Sequence, residues 1–366
     1  MQKLRVGIAG ASTRGQHLCH DFSKLDNIEI VAVMDTNQEA LKAFQRNYSI
    51  QYLFSDYEEM LNLNLDIIVI ASPVQFHAEQ AIKALDNDIH VLSEVTAATN
   101  LEDCQRLLHA TRKSKAQYML AENYCYIREN IVIRNMVRNG LFGDIYFAEG
   151  EYIHNVNYLN FDKDGYPTWR SEETSGKRGI TYGSHSLGPI LEWFDCNVQY
   201  VNCLGTGSIT SPLLKNDDTT VMLCRTKNES LIKIRVDLVS NRPHNMRYYS
   251  LQGTKACYEG PKFSGDGHRV WLNDYSGDAN QWQLLSGFYK EFLPEELLHI
   301  SDEVSTSHHW GADYFMVKDF VKSITENSPV RIGIDKALAF TIPGILSEVS
   351  INNGGIPVEV PDIQTW

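Results

Sequence analysis

The feature that most constrains this chain is a regular alternation, over roughly its first third, of short apolar runs with amphipathic stretches. The runs are Leu4 to Ala9, Ile28 to Met34, Asp66 to Ala71, His90 to Ser93 and Tyr118 to Ala121. Between them lie Asn37 to Tyr48, Phe76 to Leu85 and Leu101 to Ser114, each with an apolar face at helical spacing. Asn100 is placed to cap the last of these, with Asp103 in its first turn. Short, mainly apolar strands separated by helices are the grammar of a sheet buried on both faces, so the class is α/β with a doubly wound parallel sheet.

The first strand runs into Gly7-Ile-Ala-Gly10-Ala-Ser12-Thr13-Arg14-Gly15, and a helix follows. In a G-x-G-x-x-G turn the first glycine permits the tight bend, the second lets a pyrophosphate approach, and the third lets helix pack on strand. Here the middle position is Ser12, small enough for the same approach and able to donate to a phosphate at the helix N-terminus. Alone, the segment reads equally as an ordinary strand-to-helix turn. Asp35, however, ends the second strand about 20 residues on, where an acidic group receives a ribose 2′-hydroxyl. The two together predict a Rossmann dinucleotide-binding domain, with Gly10, Ser12, Thr13 and Arg14 at the pyrophosphate and Asp35 at the ribose. A carboxylate at Asp35 repels a 2′-phosphate and favours NAD over NADP, whereas Arg14 is a nearby cation able to reach round to such a phosphate.

After Asn123 the grammar changes, which divides the chain into a domain of residues 1–123 and a second of residues 124–366. A helix is predicted from Ile127 to Arg138, stopped at Gly140-Leu-Phe-Gly143. Strands follow at Asp144 to His154, Gln199 to Gly207, Thr219 to Arg225, Leu231 to Leu238, Met246 to Gly253 and Lys255 to Gly260. Antiparallel neighbours joined by turns fit them, giving an α+β domain with a large, mainly antiparallel open sheet. Helices return at Asp313 to Glu326 and Lys336 to Val349, and an extended tail, Ile356 to Val360, closes the chain.

Composition narrows the function. Lys plus Arg total 33 against 46 Asp plus Glu, a net charge of -13, so nucleic acid and anionic membrane surfaces are not expected partners. No apolar run reaches the ~18 residues of a membrane span, and Met1 to Ala11 carries no signal-peptide pattern. Seven cysteines, scattered and without C-x-x-C spacing, suit reduced thiols in the cytoplasm, and no metal site is indicated.

Three further segments narrow fold to family: Ser72-Pro-Val-Gln75-Phe-His77, His90-Val-Leu-Ser-Glu94-Val95-Thr96, and Trp169-Arg170 ahead of a Gly-His segment. Together they resemble the glucose-fructose oxidoreductase, inositol dehydrogenase and MocA (Gfo/Idh/MocA) family, over nearly the whole chain. The resemblance implies an open sheet whose face, with the nicotinamide, encloses a sugar or cyclitol. It places Ser72, Gln75, His77 and Glu94 along the cofactor and Asn123 near the nicotinamide, with His77 a structural or ribose contact rather than a base. It also implies a homo-oligomer, dimer or tetramer. Two departures touch chemistry. The family's Glu-Lys-Pro reads Glu94-Val95-Thr96, so the lysine that commonly accepts the proton is a valine. The family's two aspartates around its histidine are Thr181 and Gly188. With Glu94-Val95, Glu122-Asn-Tyr-Cys-Tyr126, Tyr182 through His185 with Gly188-Pro189, Gly311-Ala-Asp313-Tyr314, and Leu346 to Ser350 through Gly354-Gly355, the chain is similar to the NAD-dependent α-N-acetylgalactosaminidase-like branch.

Oxidising a secondary alcohol needs a hydride acceptor and a base for the hydroxyl proton. His185 is the candidate base, since histidine exchanges a proton near neutrality. Tyr182, one helical turn earlier, is placed to share its face, and Tyr126, at the domain boundary, is a third candidate for sugar binding or acid catalysis. Each reads otherwise as a buried aromatic or histidine satisfied by backbone. Trp169, Arg170, His154 and His309, with Tyr152 and Tyr314, are candidates to line a carbohydrate pocket, because aromatic faces pack on pyranose C–H surfaces. Three functions are open: redox-neutral glycoside cleavage through a transient 3-keto sugar, an ordinary sugar or cyclitol dehydrogenase, and a non-catalytic NAD-binding regulator.

Overall fold

The computed structural model describes residues 3–212, 214–273, 280–301, 304 and 307–366. The chain divides into two compact units: Met1–Asn123, Glu303–Leu338 and Ile363–Trp366 in the first, Tyr124–Asp302 and Ala339–Asp362 in the second.

The first unit holds a parallel sheet of six strands, β1 (Leu4–Ala9), β2 (Ile28–Met34), β3 (Tyr52–Phe54), β4 (Ile67–Ile70), β5 (His90–Ser93) and β6 (Tyr118–Leu120). Their order is β3-β2-β1-β4-β5-β6, the reversal between β1 and β4 marking the switch point at which a doubly wound sheet binds its ligand. Every residue of β4 and β6 is buried, as strands covered on both faces must be. Between the strands run α1 (Thr13–Ser23), α2 (Gln38–Asn47), α3 (Tyr57–Leu61), α4 (His77–Asp86) and α5 (Leu101–Lys113). Asn100 caps α5 by accepting from the Asp103 N–H, and Asn37 caps α2 by accepting from Glu39 and Ala40. The sequence reading lacked only β3 and α3, each too short to show a period.

The second unit opens with α6 (Arg128–Arg138) and the long strand β7 (Ile145–Ile153), then α7 (Trp169–Glu173) and α8 (Ser184–Phe194). Its nine-stranded sheet has the order β14-β13-β12-β11-β7-β10-β9-β8-β15. The strands are β8 (Val198–Gly205), β9 (Thr219–Thr226), β10 (Leu231–Asp237), β11 (Asn245–Gly253), β12 (Ala256–Glu259), β13 (Arg269–Leu272), β14 (Gln283–Leu284) and β15 (Val358–Glu359). One pairing departs from the antiparallel expectation: β10 runs parallel to β7. The reason is topological. After β7 the chain crosses over through α7 and α8, and the antiparallel run β8-β9-β10 then delivers β10 beside β7 in the same direction. The helix α8, buried along its whole length, packs against β7 at Gly150, where a Cβ would lie 2.9 Å from the Ser186 carbonyl oxygen.

After α9 (Tyr289–Phe292) and α10 (Glu295–Leu298) the chain returns to the first unit in α11 (Ala312–Thr325), and α12 (Ile334–Asn352) leads into the second. The grouping by contact is not contiguous in sequence: Glu303–Leu338 and Ile363–Trp366 pack with the N-terminal sheet. Hydrogen bonds hold them there. The Leu120 N–H donates to the Ile332 carbonyl, and the Gln117 side chain donates to the Ser328 carbonyl and accepts from the Val330 N–H.

Candidate active site

The first unit carries a cradle at the C-terminal ends of β1 and β4. Gly10 sits at φ +102°, and a Cβ there would lie 2.5 Å from the Ala71 carbonyl oxygen, so the turn after β1 admits only glycine. A Cβ at Gly15 would overlap the Gly10 carbonyl, the close helix–strand approach that the third glycine of the fingerprint provides. Ser12 is the N-cap of α1, but its exposed hydroxyl makes no capping bond, and the first turn of α1 holds no acidic residue. The positive end of the helix, with Ser12 and Thr13 exposed beside it, faces outward for an anion. Asp35 is pinned by two backbone donors, the Ala11 N–H on Oδ2 and the Asn37 N–H on Oδ1, each at 2.8 Å. Each oxygen retains a lone pair for a ribose hydroxyl.

Beyond the switch point, Ser72 Oγ donates to Gln80 Oε1 at 2.6 Å. His77 is buried between two loops, Nδ1 at 2.9 Å from the Thr96 carbonyl and Nε2 at 2.8 Å from the Ser72 carbonyl. With both ring nitrogens engaged, it ties the loop after β4 to the loop after β5. Gln75 Oε1 is sealed from solvent with no hydrogen-bond partner among the described residues. These features fit a dinucleotide: a glycine turn with no room for a Cβ, an outward helix terminus, an anchored ribose acceptor and an orphaned polar atom along the path.

Arg14 does not face outward. Its Nε and Nη2 donate to Glu94 Oε1 at 3.0 and 2.6 Å, and Nη1 donates to Asp313 Oδ2 at 2.8 Å. Asp313, wholly buried in the first turn of α11, also lies 2.9 Å from His309 Nδ1 and accepts from Asn123 Nδ2 at 2.7 Å. Burial pushes the Asp313 carboxyl up, but the charges and hydrogen bonds of Arg14 and His309 outweigh it and hold the group far below the usual carboxylate range. The Arg14 cation, the candidate to meet a 2′-phosphate, is thus committed to two carboxylates, which leaves Asp35 to set the preference for NAD.

The second unit carries a separate aromatic cluster at the start of α8. Tyr182 Oη lies 3.0 Å from Nε2 of the buried His185. Tyr124 stacks on the imidazole with ring centroids 4.2 Å apart, and Tyr152 meets the Tyr182 ring edge-on at 5.6 Å. From the other side the Tyr249 hydroxyl donates to the His185 carbonyl. His185 is therefore fixed in plane, in tilt and in backbone position, with a phenol on its outer nitrogen. Arg170 stacks on Trp169 at 4.2 Å; burial lowers its pKa, and the charges of Tyr182 and Tyr158 oppose that. His154 packs edge-on against Tyr152 and lies 3.4 Å from His244.

The structure thus unites Tyr182, His185, Tyr152 and His154, with Arg170 electrostatically coupled to Tyr182, and buries Tyr126 at the end of the turn Asn123–Tyr126. His309 and Tyr314 belong to the first unit: His309 on Asp313, and Tyr314 beneath the Lys24 ammonium. A run of left-handed residues, His309, Trp310 and Gly311, turns the His309 ring onto that carboxylate. Sequence reasoning gave no role to Tyr124, Tyr249 or Asp313. Tyr124 and Asp313 had a signal, their places inside the Glu122 to Tyr126 and Gly311 to Tyr314 segments; Tyr249 is brought to His185 only by the fold.

Residues 4–122 match the family model described as an oxidoreductase family with an NAD-binding Rossmann fold. Segments 126–212 and 206–365 match the glycosyl hydrolase 109 C-terminal domain. The chain is 26% identical to a glycosyl hydrolase family 109 protein of Solibacter usitatus, over 98% of this chain and 88% of that protein. It is also 26% identical to the alpha-N-acetylgalactosaminidase of Shewanella oneidensis, over 99% and 85%. Among solved structures, levoglucosan dehydrogenase in complex with NADH and levoglucosan has the same fold, with a TM-score of 0.84 at 18% identity over 99% of this chain and 100% of that one. An N-terminal NAD-binding Rossmann domain and a glycosyl hydrolase 109 C-terminal domain, matched in register along almost the whole length, mean that this chain is an enzyme belonging to glycosyl hydrolase family 109 within the Gfo/Idh/MocA oxidoreductases.

Proposed function

We propose that this enzyme cleaves a glycoside by a redox-neutral route through a transient 3-keto sugar, with α-linked N-acetylgalactosamine the first substrate class to test. The name of the Shewanella oneidensis relative supports that substrate class. Two observations carry the route: position 95 is a buried valine, and the second unit holds an assembled Tyr182–His185 couple. Valine holds no proton, so proton transfer falls to the couple. NAD, when bound, supplies the hydride acceptor for a sugar carbinol and returns the hydride at the end of the cycle. Gly10, Ser12 and Thr13 would hold its pyrophosphate, Asp35 its adenosine ribose, and Gln75, Glu94 and Asn123 would lie along its remaining length.

His185, fixed by Tyr124 and by Tyr249, accepts a hydroxyl proton through Tyr182 or directly, and the couple stores it until it is returned. A ketone at C3 acidifies the C2 proton, loss of which breaks the C1–O bond and releases the aglycone as its protonated alcohol; water then adds across the C1–C2 double bond, hydroxyl to C1 and proton to C2, before the ketone is reduced, and a phenol on an imidazole is suited to move these protons in both directions. Tyr126 is a further acid candidate. Trp169, Arg170 and His154 supply the stacking face, the cation and the polar edge that a pyranose requires.

The open face of the second unit's sheet exposes Leu204, Leu223 and Leu231 among charged neighbours, which suits a homo-oligomer; light scattering reads its size. Seven free cysteines suit a reducing cytoplasm. The function is tested by incubating the enzyme and NAD with a panel of aryl glycosides and free sugars while following aglycone and NADH together. Aglycone without net NADH is the expected result. Accumulating NADH from free sugars identifies a dehydrogenase, and no turnover of any member leaves the regulator.

A further inference from the structure

Asn123 follows β6 and is almost completely buried. Its amide nitrogen donates to Asp313 Oδ1 at 2.7 Å, while its carbonyl oxygen Oδ1 has no hydrogen-bond partner among the described residues. An amide is ordinarily ambiguous end for end, but not here. An ionised carboxylate only accepts, so the nitrogen must face Asp313 and the oxygen must face away. Asp313 is kept ionised by the Arg14 guanidinium and is held from a further side by His309. The network therefore leaves a buried acceptor of fixed direction, at a cost that a donor from a ligand would remove.

The position of Asn123 says which donor. In a sheet of order β3-β2-β1-β4-β5-β6, one nucleoside half of the dinucleotide lies over β1–β3 and the other over β4–β6. Asp35, after β2, takes the adenosine half, so the end of β6 serves the nicotinamide half. The carboxamide there carries an N–H pair that needs an acceptor once it is withdrawn from water. Resting on the NAD reading above, we propose that Asp313 is a positioning residue that locks the Asn123 amide so that Oδ1 accepts from the nicotinamide carboxamide. The Arg14–Asp313–Asn123 chain then sets how the reactive ring is held, with no contact of its own to the sugar.

The test is calorimetric binding of four ligands to the intact enzyme: NAD, its thionicotinamide analogue, which keeps the N–H donors, its 3-acetylpyridine analogue, which lacks them, and ADP-ribose, which lacks the ring. The wild type is expected to bind NAD and the thio analogue alike, and the acetylpyridine analogue about tenfold more weakly. In Asn123→Ser and Asp313→Asn that discrimination falls to within about twofold, while ADP-ribose affinity is kept. Should D313N not fold, Asp313→Glu, which keeps the charge but displaces the carboxylate, is read the same way. Equal binding of NAD and the acetylpyridine analogue by the wild type overturns the proposal, as does full discrimination in the Asp313 variant. A wild type that binds neither NAD nor ADP-ribose overturns the cofactor reading instead.

Discussion

The Tyr182 hydroxyl, from the turn that leads into α8, and the His185 imidazole, in the first turn of α8, meet at 3.0 Å, and the Tyr249 hydroxyl anchors the carbonyl of the same histidine from the neighbouring sheet. Helix and strand together hold a titratable pair that neither would fix alone. That geometry requires Gly150, whose missing side chain lets α8 approach β7.

If this pair moves the proton, His185→Ala lowers turnover on the best glycoside by roughly 10²- to 10⁴-fold, and Tyr182→Phe by roughly the lower end of that range. Neither residue lies in the first unit, so NAD affinity stays within about twofold of the wild type by titration. Unchanged turnover in H185A removes histidine from the mechanism.

With Arg14 bound by Glu94 and Asp313, nothing offsets the repulsion between Asp35 and a 2′-phosphate. NAD is expected to bind at least about tenfold more tightly than NADP, and Asp35→Asn to narrow the gap by removing the charge while keeping one acceptor for the Ala11 N–H. Calorimetry with both dinucleotides decides it; equal affinities in the wild type contradict the assignment of Asp35.

Gly10→Ala forces a side chain into a left-handed turn with the Ala71 carbonyl 2.5 Å away. The left-handed backbone alone costs about 1–3 kcal/mol, and the contact adds to it. A lower Tm together with weakened NAD binding is expected, and a variant with wild-type values for both shows that the turn has room to spare.

Asp21, buried on α1, has its pKa raised to about 7, mainly by burial and secondarily by Asp313, with Lys24 opposing. Between the unfolded value of about 3.9 and about 7, the folded chain holds a proton that the unfolded chain has released. Stability attributable to this group therefore falls as pH rises through that window, by up to about 4 kcal/mol in all. Asp21→Asn is expected to gain on the wild type in urea midpoint from pH 5 to pH 8; parallel pH profiles contradict it.

Much of this was legible residue by residue. β2 and β5 coincide with the apolar runs Ile28 to Met34 and His90 to Ser93, because strands buried on both faces need no alternation to be recognised. Asp35 was legible from its spacing and His185 from its chemistry, whereas Tyr182 stands in the turn before Gly183, the N-cap of α8, and reaches His185 from that turn rather than from a shared helix face. The helix that carries His185 was not predicted in full: Gly188 and Pro189 within it are helix-breaking residue types, and a helix buried all round has no amphipathic stripe. The parallel pairing of β10 with β7 depends on a crossover that no local pattern encodes. Asp313 and Arg14 are separated by 299 positions, so their ion pair, and the displacement of His309 onto it, emerge only from the folded chain.

The fate of hydrogen at the sugar's C2 carbon separates a ketone route from direct hydrolysis. Cleavage of an aryl α-N-acetylgalactosaminide in D2O, with mass and NMR analysis of the released sugar, reads it directly. Removal of the C2 proton beside a transient C3 ketone predicts solvent deuterium at C2, protium retained at C3, aglycone release and no accumulated NADH. Aglycone released with C2 fully protiated would mean hydrolysis without a ketone and would contradict the account.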